Sequence, residues 1–351
     1  MYITIMNYLY KKKKIPILFT LFVMVCFYAY RDFLITYRMM LLDEYFLYYH
    51  YQNIIIYYET GDLKYSDNLP MNVRFLGLIL QYIIFKVVPC INLTNISVNP
   101  NYDELFVCAT FSLALLNYLS KYLLIILFFY YVVKILKRPL IEGSICIFLS
   151  FILINYVEDF TFDRITILYT LLILMSLNNK YLSCILITLS FLVSEKVIMI
   201  IGPLLLIKYI FLKEKKYLIN LKFAILSVGL YGLMIYLLIN FFNFSFSPLY
   251  ENTGFDRLFL DLSNKSHISN SIIPITFCFI PYAIYLFDKN KRNLNFSVYE
   301  ILLPIIMIFL GTGGGEHNIG RYAMYSFIIW LPLFASQINH YLKISKLIED
   351  E

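Results

Sequence analysis

Apolar runs long enough to form membrane-crossing helices recur along this whole chain, and no hydrophilic stretch is long enough for a separate soluble domain. A hydrocarbon core of roughly 30 Å needs about 20 apolar residues per crossing helix. Composition agrees with the pattern: 60% of residues are hydrophobic, only 15% are charged, and the mean hydropathy is +0.71. A soluble domain carries roughly 25% charged residues. The expected fold is therefore all-α, a polytopic bundle of transmembrane helices in one integral-membrane domain over residues 1–351. No repeat of fixed period is visible, which counts against the inverted halves common in secondary transporters.

The charges orient that bundle. Lys11 to Lys14, Lys134, Lys137 and Arg138, Lys213, Lys215 and Lys216, and Lys289, Lys291 and Arg292 fall at alternate ends of the apolar runs. Acidic residues fall at the opposite ends: Asp43 and Glu44, Glu158, Asp159 and Asp163, Glu195, and Glu316. Short cytoplasmic loops are rich in Lys and Arg, so the basic ends are expected inside and the carboxylates outside. The net charge of +6 then belongs to topology, and nucleic acid is not an expected partner.

The run after Lys11 to Lys14 lacks a small-residue cleavage site, so it is expected to stay as a first span over 15–35. Further spans are expected near 105–133, 140–157, 165–178, 181–194, 197–212, 220–242, 272–287, 298–312 and 322–338. That makes about ten, in the plasma (inner) membrane, with both termini cytoplasmic. Residues 31–104 form an external loop with interfacial helices, and 105–338 form the bundle. The short apolar stretch 75–91, interrupted by Lys86, is read as an interfacial helix. If it crossed, every later basic loop would lie outside.

Charged residues at membrane depth are costly and mark function or pairing. Asp43 and Glu44 open an aromatic stretch, DEYFLYYHYQNIIIYYETGD, suited to a membrane–water interface. A carboxylate held there could deprotonate an acceptor hydroxyl, or it could simply start a helix, where acidic side chains are favoured. Glu158, Asp159 and Asp163 lie in one tight loop, and Asp163 is followed by Arg164, which could neutralise it. Glu195 and Lys196 sit in a turn between two apolar runs, as a snorkelling pair or as ligands of a charged substrate. In GTGGGEHNIGRYAMY, the Gly311–Gly315 run lacks the Lys-Ser/Thr ending of a Walker loop. Glu316, His317 and Arg321 follow it, and the Arg321 guanidinium suits bidentate binding of phosphate oxygens. Its structural alternative is a pair with Glu316. The four histidines lack metal-ligand spacing, although paired carboxylates are compatible with Mg or Mn. The six cysteines are scattered, mostly in apolar runs, and read as packing residues.

A first span, an external Asp43–Glu44 pair and a following aromatic helix together resemble the GT-C superfamily of integral-membrane glycosyltransferases. The stretch FDRITILYTLLILMSLNNKYLSCILITLSFLVSEKVIMIIGPLLLIKY at 162–209 is similar to the paired-helix region of bacterial members. There Asp163 opens one helix, and the Glu195–Lys196 pair precedes an apolar run containing Pro203. Arg321, entering the last span, also resembles a family feature. The chain departs from the pattern in placing Glu195 before Lys196 and in having only Pro70 after Gly61 where a run of prolines is usual.

The resemblance implies transfer of a sugar from a polyprenyl-phosphate donor to a lipid, glycan or protein acceptor on the external face, with inversion. It implies Asp43 as general base with Glu44 next in line, and Asp163 as a further candidate carboxylate. Arg321 and Lys196 would stabilise the leaving lipid phosphate. Rival readings are a polymerase of lipid-linked repeat units, which would use Arg38, Asp43, Tyr45 and Tyr48, a transporter or flippase, and a non-catalytic membrane subunit. Lys121, inside an otherwise apolar run, is the residue that most favours a transport pathway.

Overall fold

A computed structural model of the chain describes residues 50–61, 74–90, 104–154, 162–242 and 325–349. It also describes single positions within 23–37, 276–283 and 303–306. Among these the structure is helical and contains no strand. The helices are α1 (His50–Thr60), α2 (Phe75–Val87), α3 (Glu104–Tyr130), α4 (Leu140–Ile154) and α5 (Asp163–Ser176). They continue with α6 (Lys180–Leu189), α7 (Glu195–Leu212), α8 (Lys215–Phe242) and α9 (Phe327–Glu349).

Local chemistry sets the boundaries. The Ser194 hydroxyl accepts from the Lys196 amide at 3.2 Å and caps α7, with Glu195 in the first turn where a carboxylate favours the helix dipole. The Asn179 side chain caps α6 by accepting from the Leu182 amide at 3.2 Å. Helix α3 ends in a π turn, Tyr131–Ile135. Lys137 and Lys213 both adopt left-handed backbone geometry where the chain reverses. Such geometry costs a non-glycine residue of order 1 kcal/mol, so these reversals are held by the helices they join. The expected span 181–194 is broken, because α6 gives way to a 3-10 turn at Ser190–Leu192 before the cap of α7.

Helix α3 is the axis of the assembly. It packs against α1, α2, α4 and α5, and its buried side includes Leu113, Leu116, Leu124, Ile125 and Phe128. Helix α8 is peripheral, packed on α6 and α7. Ile225, Leu226, Val228, Leu233, Leu237 and Phe241 stand exposed along it. Two segments, Glu104–Ile135 and Lys215–Phe241, are long and apolar enough to cross a membrane. An outward row of this kind is unfavourable in water and at home in lipid.

Helix α2 does not run to the basic end of the bundle. It starts at Arg74, against Glu195, and climbs beside the first half of α3. The Gln81 Nε2 donates to the Ala109 carbonyl at 3.2 Å, and Cys90 is joined to Cys108. The disulfide corrects the reading of these two cysteines as packing residues. They are 18 positions apart in sequence, and the packing of α2 on α3 brings them together.

Candidate functional site

The N-terminal ends of α5 and α7, and the residues just before α9, bring charge together inside the bundle. Asp163 opens α5 and is fully buried. Its Oδ1 accepts from Lys196 Nζ at 3.1 Å, and its Oδ2 accepts from the Tyr325 hydroxyl at 2.6 Å. Lys196 Nζ also donates to the Tyr325 hydroxyl at 3.0 Å, which closes a triangle. Asp163 is thus ion-paired to Lys196, and its neighbour Arg164 is itself buried and within electrostatic reach of Lys121.

A second pair adjoins the first. Arg74 Nη2 donates to Glu195 Oε1 at 2.7 Å. The Ser194 and Tyr231 hydroxyls donate to Glu195 Oε2 at 3.2 and 3.4 Å. Arg74 is buried, while the Glu195 side chain keeps 19% of its surface open. Glu195 is therefore the more exposed carboxylate of the group, and Asp163 is fully buried.

The depth of this cluster follows from helix lengths. At 1.5 Å per residue, the 14 residues of α5 span about 21 Å. Lys121, level with Arg164, is about 21 Å from the end of the π turn at Ile135 by the same rise. Tyr325 lies about 17 Å above Ser336, which accepts from Arg138 at 3.4 Å. Three elements thus place the cluster roughly 20 Å from the basic turns, while Glu104 begins α3 about 25 Å above Lys121. The charged groups lie among the N-terminal ends of α5 and α7, beside the start of α2 and below the first half of α3.

No protein-family model, curated protein or solved structure matches the chain.

Of the sequence-derived site residues, the structure brings Asp163, Glu195 and Lys196 into one cluster. Asp43, Glu44, Glu158, Asp159, Glu316, His317 and Arg321 lie outside the described residues, as do Arg38, Tyr45 and Tyr48. Among the described residues no three His, Cys, Asp or Glu side chains gather as metal ligands. Sequence reasoning missed Arg74, Tyr231 and Tyr325. For Arg74 a signal existed: it is a cation at the end of an apolar run where the charge pattern calls for none. Tyrosine is too abundant here, at 33 residues, for any one to stand out.

Proposed function

We propose that this chain is an integral-membrane glycosyltransferase of the plasma membrane, using a polyprenyl-phosphate-linked sugar and acting on the extracytoplasmic side. The observation that carries this reading is the Arg74–Glu195–Lys196–Asp163–Tyr325 cluster sunk within an apolar helical bundle. A donor of this class has a lipid tail that belongs in the bilayer and a phosphate that needs cations just below its surface. A buried cationic cluster set roughly 20 Å from the basic turns, toward the other end of the bundle, meets both needs. The basic turns face the cytoplasm. The Cys90–Cys108 link supports that assignment, because disulfides persist in oxidising compartments and this one lies near the start of α3, far from the basic turns.

In this mechanism the acceptor hydroxyl or amine loses its proton to Asp43, or to Glu44 beside it, and attacks the anomeric carbon. The bond to the lipid phosphate breaks on the opposite face, with inversion. Arg321 and Lys196 stabilise the phosphate as its charge grows. Lys196 is turned onto Asp163 and Tyr325 in the structure, so phosphate oxygens would share or replace those partners. With both oxygens hydrogen-bonded and no open surface, Asp163 serves as the anchor that aims Lys196. A divalent ion such as Mg or Mn, held by the external carboxylates, is compatible with the same scheme.

Lys121 favours one second reading, a substrate pathway, because it is a fully buried cation at the level of the cluster. Membranes containing the chain, incubated with a panel of polyprenyl-phosphate sugars, separate the two: a transferase consumes a donor and a transporter consumes none. Asp43→Asn is expected to abolish transfer while the chain still inserts, and retained turnover would remove the general-base role. Arg321→Ala is expected to raise the donor KM more than the acceptor KM. Equal changes would return Arg321 to a structural part.

A further inference from the structure

Helix α2 is fixed at two points that differ in chemistry. At its inner end Arg74 is buried and ion-paired to Glu195, and Gly77 lies so close to Phe162 that a Cβ there would collide with the ring. Phe162 immediately precedes Asp163, so this end of α2 forms part of the cover over the cluster. At the outer end the tie is covalent, Cys90 to Cys108 in the upper part of α3. Between the two points α2 turns Leu78 and Gln81 inward, while Ile79, Ile83 and Val87 are exposed. One side of the cluster's cover is therefore a single 13-residue helix whose opposite face carries the exposed Ile79, Ile83 and Val87.

We propose that α2 is a redox-latched flap over the charged cluster: the disulfide holds its outer end, and the Arg74–Glu195 pair is the hinge-side contact. Opening the latch takes two electrons and two protons from a dithiol. The Cys90–Cys108 bond breaks to two thiols, and the dithiol closes to its own disulfide. The outer half of α2 then loses its covalent tie to α3 and is held by packing, the Gln81 hydrogen bond and the half-exposed Lys86–Glu59 pair to α1. The flap is a property of the fold and does not depend on the function proposed above.

The test uses the full chain in lipid nanodiscs and reads backbone hydrogen exchange by mass spectrometry, with and without dithiothreitol. Reduction is expected to speed exchange over residues 82–90 at least tenfold and to raise it over 162–166 as well. The C90S/C108S double variant is expected to match the reduced wild type and to ignore the dithiol. R74Q under oxidising conditions is expected to loosen 75–80 while leaving 82–90 protected. Unchanged exchange over 75–90 on reduction would overturn the proposal. So would alkylation of Cys90 and Cys108 without any reductant, since the latch would then not exist. The wild-type arm needs no substitution, so a variant that fails to fold leaves the result readable.

Discussion

Lys196 and Asp163 are a buried pair, and removing one partner of such a pair strands the other charge in a low-dielectric interior. Lys196→Met is therefore expected to cost about 3–5 kcal/mol, seen as a lowered midpoint of thermal unfolding in detergent. D163N/K196M is expected to recover much of that loss, because neither charge is left and Tyr325 can still donate to the Asn oxygen. A double variant no better than K196M would show that the pair contributes shape and not charge balance. A more exposed pair behaves differently. Glu59 is held below the ordinary carboxylate range by hydrogen bonds from Lys86 and then Tyr82. A depressed carboxylate contributes stability above its unfolded pKa and loses it as pH falls through the lowered folded value. Hydrogen exchange over α1 is expected to rise on acidification through that window, and E59Q is expected to flatten the response. Asp163, Glu195 and Lys196 were legible in the sequence because charges next to apolar runs are conspicuous. Their mutual partners were not, since Asp163 and Lys196 are 33 residues apart and meet only when α5 and α7 pack.

At the scale of elements, the seating of α2 is the point most open to test. A Cβ at Gly77 would overlap the Phe162 ring, so Gly77→Ala is expected to cost about 1–3 kcal/mol, as overpacking does. Gly202 is the control: nothing lies within 4 Å of its Cβ position in α7, and Gly202→Ala should be neutral or stabilising by roughly 0.5–1 kcal/mol. Equal losses at both positions would mean that α2 is not seated as described. Helix existence among the described residues was well marked by the apolar runs; α4 follows a basic turn as expected, and α8 starts within the basic run Lys213–Lys216. The broken stretch Ser190–Ser194 was not marked, because LSFLVS reads as continuous helix until the Ser194 cap competes for the backbone. The expectation for 75–91 was an interfacial helix. It did not anticipate that α2 stands beside α3 and descends to the cluster.

For the whole molecule, the charge pattern predicts one basic face and one acidic face. Single cysteines at Lys213 and Glu104, in a chain freed of its reactive thiols, are expected to react with an impermeant maleimide from opposite sides of sealed vesicles. Labelling of both from one side would dismantle the arrangement. Short helices give this layout a further property. On the proposed orientation, α5 holds the cluster roughly 20 Å from the basic turns, which leaves about a third of a 30 Å hydrocarbon layer between it and the opposite surface. An anion entering from that surface crosses only this fraction of the membrane voltage, an opposing term of about 0.8 kcal/mol per charge at 100 mV. Occupancy of the charged cluster by a singly charged anion should therefore change less than fivefold between energised and de-energised membranes.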